Sequence, residues 1–277
     1  MNLLEQISEG LGCEKMNVKL FSPYNHFPLH QYVAGQPYIP IYNDWKVYER
    51  VLEPNACALL IEPRPIQPDV YKWIEENYKK FKIIFTHDSI LLEMLPNAKL
   101  ILWGGVWSWS DENIRYNKRK DISFCSANKE MCFQHIRRKE LCKELENTID
   151  CMGDYDGGAK VTTEQIYRDY KFSVCIENYR DDWWFSEKIC NAFSNKCVPI
   201  YYGARNIGKL FDADGIIEVD SLNDIPKIIR SIQYDPVWEY GRRNQAIDFN
   251  YQKVRDYVNF ETWFFKRYEK ELEEVLK

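Results

Sequence analysis

The sequence predicts an α/β protein built from two Rossmann-like, doubly wound domains that face each other across a cleft. Three observations predict it. Short apolar runs alternate along the chain with amphipathic, charged stretches, the pattern of parallel strands and the helices that cover them. A polar segment, SWSDENIRYNKRKD at 108–121, interrupts this alternation between the fourth and fifth apolar runs. The chain has 277 residues, 45% of them hydrophobic, which suffices for one large core or two smaller ones. A cut at the polar segment gives an N-terminal domain over 1–115, a C-terminal domain over 116–255, and a terminal helix over 256–277 that packs back on the first domain.

The elements follow in order. In the N-terminal half the runs NVKLF (17–21), ACALLIE (56–62), KIIFT (82–86) and KLILWG (99–104) read as strands, with helices at 45–52, 69–80 and 88–95. Asp88 or Ser89 supplies the cap that starts the third of these helices. In the C-terminal half the strands are DISFCS (121–126), TIDCMG (148–153), KFSVCIE (171–177), VPIYY (198–202) and GIIEV (215–219). Helices fall at 129–146, 162–169, 186–196, 222–233 and 253–276. The helix at 186 has Ser186 as its cap and Ile189 and Phe193 four apart on its inner face. In open parallel sheets ligands bind beyond the carboxyl ends of the strands, so those ends are where function is sought.

Composition excludes several classes. A net charge of −5 gives no general attraction to nucleic acid, and Lys118-Arg119-Lys120 is a short solvated linker. Nine cysteines, an odd number, sit mostly inside apolar runs and form no C-x-x-C pair. They read as reduced, buried thiols of a cytoplasmic protein, not as a disulfide framework or a zinc site. The N-terminus MNLLEQISEGLGCEK lacks a basic region followed by a long apolar core, and no apolar run approaches the roughly 20 residues of a spanning helix. No integral membrane segment is expected; peripheral attachment is left open. The two common nucleotide fingerprints, G-x-G-x-x-G and G-x-x-x-x-G-K-S/T, are absent.

One stretch stands out chemically. YKFSVCIENYRDDWWFSEK (170–188) starts as a buried strand and ends in carboxylates, indoles and Ser186-Glu187-Lys188. Glu187 and Lys188 lie in the first turn of the following helix, where outward N–H groups carry partial positive charge and favour an anion such as a diphosphate. An ordinary exposed Glu–Lys pair would account for the same residues. Asp154-Tyr155-Asp156 and Asp212-Ala213-Asp214 each spell D-x-D, but both lie in glycine-flanked turns where aspartate serves the local backbone. His87-Asp88 looks catalytic, yet helix capping explains Asp88.

YKFSVCIENYRDDWWFSEKICNAFSNKCVPIYYG (170–203) resembles the signature of glycosyltransferase family 10, the α-1,3/1,4-fucosyltransferases. Tyr170, Lys171, Phe172, Glu177, Asn178, Glu187, Lys188, Pro199 and Gly203 match in order. DISFCSANKEMCFQHIRRKELCKEL resembles the family's arginine-bearing helix, and LLIEPRPIQP is faintly similar to its G-E-x-x-x-P loop. The resemblance implies a GT-B type fold and an inverting, metal-independent transfer of L-fucose from GDP-fucose to a hydroxyl of a glycan acceptor, with no cofactor. It implies that Glu187 holds the ribose, that Lys188 and Arg138 (with Arg137 as the alternative) hold the diphosphate, and that Glu62 is the general base. Asn178, Trp184, Ser186 and Gly203 complete the implied donor site. Trp107 and Trp109, in LWGGVWSWSD, are candidates for stacking on an acceptor sugar, whereas Trp103 reads as interdomain packing.

Two departures matter. Ser186 replaces the family's threonine and keeps a hydroxyl. Trp184 replaces a tyrosine and loses a phenol, which leaves a different GDP-linked sugar as the alternative donor. A nucleotide- or carbohydrate-binding module without catalysis is the alternative of another class. The expected location is the cytoplasm of a bacterium, or of a host cell if the protein is viral.

Overall fold

Residues 16–24, 29 and 32–277 are described by the structure, a computed structural model. The chain divides into two compact units, the first comprising residues up to Trp103 together with Asp256–Lys277, the second Gly104–Arg255.

In the first unit five parallel strands lie side by side in chain order: β1 (Val18–Phe21), β2 (Ile39–Asn43), β3 (Cys57–Leu59), β4 (Ile84–Thr86) and β5 (Ala98–Leu100). Side chains alternate between two cores because successive Cβ atoms point to opposite faces. Ala56, Ala58, Leu60 and Ile84 meet α1 (Pro68–Asn77) and α2 (Ser89–Met94) through Val70, Tyr71, Ile74 and Leu91. Cys57, Leu59, Ile61, Ile83 and Phe85 meet the other cover, a C-terminal helix at Phe260–Leu276, through Phe264, Tyr268 and Leu272. Phe85 touches Phe264 and Tyr268 at ring-centroid distances of 4.9 and 4.8 Å. Trp103 packs on Phe260 at 4.8 Å, within the first unit.

The sequence pattern missed β2. Pro40 interrupts its apolar run, and a proline cannot donate to a ladder; here it is the strand's second residue, paired opposite Lys19. Asp88 proves to be the cap of α2, its carboxylate accepting from Leu91 N–H at 2.9 Å.

The second sheet runs β10-β9-β8-β6-β7, all parallel, from β6 (Lys120–Cys125), β7 (Asp150–Met152), β8 (Tyr170–Ile176), β9 (Val198–Tyr202) and β10 (Ile217–Glu218). The chain moves outward from β6 to β7, then returns to the other side of β6 with β8. This reversal is the doubly wound switch point, and a crevice opens there beyond the strand ends. β8 is central and covered on both faces, which is why it reads as a continuous apolar run and not as an alternation. The helices of this unit are α3 (Phe133–Leu145), α4 (Thr163–Tyr167), α5 (Glu187–Ser194), α6 (Ile225–Tyr234), α7 (Pro236–Gly241) and α8 (Asn244–Lys253). The C-terminal helix Phe260–Leu276 is α9.

Residues 104–115, assigned to the first domain by the polar break, belong to the second unit. Asn191 of α5 accepts from Trp107 N–H at 2.8 Å, Ser110 N–H donates to the Ser194 carbonyl at 3.1 Å, and Ser110 Oγ bonds Asn195 at 2.5 Å. Polar side chains inside an apolar-looking helix hold this segment, a pairing that periodicity cannot report. The predicted helix 253–276 is likewise broken: a 3-10 turn at Val254–Tyr257 precedes Asn259, which caps α9 by accepting from Thr262 N–H at 3.0 Å. No helix among the described residues is long and apolar enough to cross a membrane.

Candidate active site

At the switch point of the second sheet three segments converge: the end of β8, the start of α5 and the inner face of α3. Glu177 follows β8 directly and is fully buried. Its backbone N–H donates to the Tyr202 carbonyl at 2.9 Å, continuing the ladder with β9. One carboxylate oxygen accepts from Ser186 N–H at 2.9 Å, and the other from Ser186 Oγ–H at 2.7 Å. Lys188 Nζ lies 3.4 Å from the same carboxylate, 3.2 Å from Glu187 and 3.0 Å from Ser186 Oγ. Glu177 thus fixes both the cap of α5 and the lysine of its first turn.

Arg138 projects from α3 into this region. It is buried, and its guanidinium donates to the Ile176 carbonyl at 2.8 Å, at the last residue of β8. Arg137 points away and pairs with Glu140 on the outer face of the helix. The two arginines named as alternatives are therefore separated by burial.

The electrostatics are those of a compact, internally balanced cluster. Burial alone would push the Glu187 carboxyl up, but the adjacent Lys188 ammonium, together with hydrogen bonds from the residue's own N–H, Lys188 and Ser186, holds the group below the usual carboxylate range. Burial would likewise push Lys188 down; Glu187, then Glu177, outweigh it and hold the ammonium above its ordinary value. Arg138 is lowered by burial, against the opposing pull of Glu177. The N–H groups of the first turn of α5 add positive potential at the same place.

Other donor-site candidates take varied places. Asn178 is half-buried, and its carbonyl lies 3.5 Å from Cys132 Sγ. Trp184 is buried. Gly203 is buried at the end of β9 for want of room: a Cβ there would stand 2.3 Å from Tyr201 Oη and 2.6 Å from Glu177 Cγ. The two acceptor candidates differ. Trp107 is 70% exposed. Trp109 is spent on packing, its indole N–H donating to Tyr251 Oη at 2.9 Å with the rings 5.0 Å apart.

In the first unit Glu62 sits just past the end of β3, half-exposed, on a turn fixed from several sides. Its N–H and that of Ile61 donate to Asp44 Oδ1, at 3.2 and 2.8 Å. Its carbonyl accepts from Tyr71 Oη at 2.7 Å, and His87 Nε2 lies 3.2 Å from the Ile61 carbonyl. His87 is fully buried, and burial pushes its imidazole down to about 4, so it is neutral and structural. Asp88 is engaged as a cap and by Arg64 at 2.8 and 2.9 Å.

Three of the four D-x-D aspartates accept from backbone N–H groups, two within their own turns and one from the loop after β6. Asp154 accepts from Asn128 N–H, Asp156 from Gly158 N–H and Asp212 from Asp214 N–H, each at 3.0 Å. Among the described residues no group of three His, Cys, Asp or Glu side chains stands close enough to hold a metal ion.

Sequence reasoning did not single out Glu177, His135 or Ser126 as donor-site residues. Glu177 was legible as a carboxylate placed immediately after a buried strand. His135 and Ser126 were not named, and each has a buried polar atom, Nδ1 and Oγ, that no bond of full geometry satisfies. A buried polar group left so costs about 1–3 kcal/mol. The signal for His135 was present in α3, whose buried stripe is His135, Arg138, Leu141, Cys142 and Leu145. Two polar residues on the apolar stripe of a helix are the anomaly to look for.

Residues 116–236 match the family described as glycosyltransferase family 10 (fucosyltransferase), C-terminal domain. An α-(1,3)-fucosyltransferase of Helicobacter pylori is 25% identical over 97 residues, 35% of this chain. The chain spans 20% of the length of that relative in the matched region. Among solved structures, an α1,3-fucosyltransferase with GDP superposes with a TM-score of 0.60 at 15% identity, covering 99% of this chain and 96% of that one. The pneumococcal O-GlcNAc transferase GtfA, in complex with UDP and GlcNAc, gives 0.51 at 13% identity over 87% of this chain and 57% of that one. These structural likenesses concern the fold, that of two-unit α/β glycosyltransferases.

The stretch that matches the family 10 model lies within the second unit, Gly104–Arg255.

Proposed function

We propose, from the family match over residues 116–236, that the protein transfers L-fucose from GDP-fucose to a hydroxyl of a carbohydrate acceptor, with inversion at the sugar carbon. The observation that carries this reading is the cluster at the switch point of the second sheet. Arg138 and Lys188 are two cations held by neighbouring elements, with the first turn of α5 beside them and Glu187 in that same turn. A diphosphate is the ligand such a cluster suits. Glycosyl transfer breaks the bond from the sugar to that diphosphate, and fixed cations stabilise the charge that grows on the departing oxygens. Glu187, kept ionised by Lys188, accepts hydrogen bonds from ribose hydroxyls. Glu62 takes the proton of the attacking acceptor hydroxyl. Its support is the turn that Asp44, Tyr71 and His87 fix at the carboxyl end of β3.

A second donor is favoured by one observation: the buried Trp184 stands where the family has tyrosine, so a GDP-linked sugar other than fucose fits the same cluster. Exposed Trp107 is the indole available to an acceptor sugar.

The test is calorimetric titration of the protein with GDP, UDP and CMP, with and without a chelator, followed by transfer assays with GDP-fucose and GDP-mannose over a panel of acceptors. The expected result is chelator-insensitive binding of GDP alone and release of GDP on transfer. Preference for UDP, or loss of binding with chelator, would overturn the donor assignment. GDP binding with neither transfer nor donor hydrolysis would leave a binding module.

A further inference from the structure

His135 lies one helical turn before Arg138 on the buried stripe of α3 and is 4% exposed. Its hydrogen-bonding neighbour is the Asn178 side chain, at a geometry short of a full bond, so His135 Nδ1 and Asn178 Oδ1 are both left incompletely satisfied, as is Oγ of Ser126. Ser126 follows β6 and Asn178 follows β8, so these incompletely satisfied atoms gather where the two strands' connections part. Buried polar atoms are nearly always satisfied, and a local concentration of exceptions marks a place where a ligand supplies the partners.

The groups that act electrostatically on His135, or bond to it, come from four segments. They are Arg138 on its own helix, Lys129 in the preceding loop, Lys188 in the first turn of α5, and the Asn178 amide after β8. Glu177 and Glu187 pair with Lys188. Burial first, and then the cations, push the imidazole down to about 4, so it is neutral in the unliganded protein at pH 7. A dianion bound among Arg138, Lys129 and Lys188 reverses that balance, because opposite charge nearby favours the charged form.

We infer that His135 is a further binding residue of the diphosphate pocket, and that it takes up one proton from solvent when the donor's diphosphate binds. The step is imidazole plus a proton to imidazolium; no covalent bond changes, and the imidazolium donates to a phosphate oxygen. This rests on the donor reading given above.

The experiment is calorimetry of the full chain with GDP-fucose, without acceptor, at pH 6.5 in buffers of different ionisation enthalpy. A sugar diphosphate is a diester with no group titrating near this pH, so any proton exchange belongs to the protein; free GDP lacks that advantage. The expected result is uptake of about half to one proton per GDP-fucose, declining as the pH is raised to 8.5. In His135→Asn uptake is lost and affinity falls about 3–10-fold. Because a variant of a buried residue can misfold, the wild-type protein is also labelled with 15N-histidine. With only four histidines in the chain, one imidazole should change from the neutral to the imidazolium pattern on saturation, and it should persist in the His26→Gln/His30→Gln protein.

Binding with buffer-independent heat, or uptake that survives undiminished in a folded His135→Asn protein, overturns the inference alone. No heat with GDP-fucose in any buffer overturns the donor reading and this inference with it.

Discussion

Gly203→Ala tests the packing that holds the cluster together. The added Cβ would lie 2.3 Å from Tyr201 Oη, 2.4 Å from Tyr201 Cζ and 2.6 Å from Glu177 Cγ. Ordinary contact begins near 3.4 Å, so the two side chains must retreat by about 1 Å. Neither can do so freely. Tyr201 is buried and its oxygen accepts from Ala204 N–H at 3.0 Å, while Glu177 is anchored at both oxygens by Ser186. Overpacking of this kind costs about 1–3 kcal/mol, and a lost buried hydrogen bond adds about 1 kcal/mol. For a unit of this size each kcal/mol lowers the melting temperature by about 2–4 °C, so a fall of about 5–15 °C is expected. GDP affinity should drop at least about 10-fold, because Glu177 positions Lys188 and the N-terminus of α5. Gly241→Ala is the control: its Cβ meets nothing within 4 Å, and replacing a helical glycine there should leave stability unchanged or raise it by up to about 1 kcal/mol. Differential scanning calorimetry with and without GDP reads all of this. A Gly203→Ala protein that melts within 1 °C of wild type, on the scale of those about 2–4 °C increments, would refute the argument from steric contact.

Three further outcomes are expected. Lys188→Gln should weaken GDP about 10–100-fold, the worth of a charge-assisted hydrogen bond; an unchanged dissociation constant would remove Lys188 from the diphosphate site. Glu62→Gln should lower turnover by about 10²–10⁴-fold while GDP affinity stays as in wild type, and undiminished turnover would end its assignment as base. Asp44 is buried, and burial, with Glu62 adding to it, pushes its carboxyl up to about 7. A raised acid favours the folded state below its unfolded value and loses that contribution as pH rises through the folded one. The stability of wild type relative to Asp44→Asn should therefore fall between pH 4 and 7 by as much as about 4 kcal/mol, read by urea unfolding at each pH. A difference that is flat across that range would show that the carboxyl is not shifted.

Burial separates the residues that the sequence could assign from those it could not. The place of Glu187 and Lys188 in the first turn of α5 was legible because a capping serine, a helix start and an apolar strand stand next to one another in the chain, and local spacing fixes their mutual geometry. Arg137 and Arg138 were not separable by that means, since adjacent helical residues differ by only 100° in direction. Only the packing of α3 against the end of β8 turns one inward. Trp107 and Trp109 pose the same problem, and it is Tyr251, more than 140 positions away, that occupies Trp109.

Sequence by itself therefore determined the α/β class, most strands and the start of α5, because these depend on contacts between near neighbours. The tertiary structure decided the boundary at 104, the place of Pro40 inside a strand, the anchoring of Lys188 by Glu177, and the gathering of Ser126, His135 and Asn178 at one edge. Those features arise where segments distant in the chain meet, and desolvation, which gives buried charge and unmade hydrogen bonds their cost, exists only once they have met.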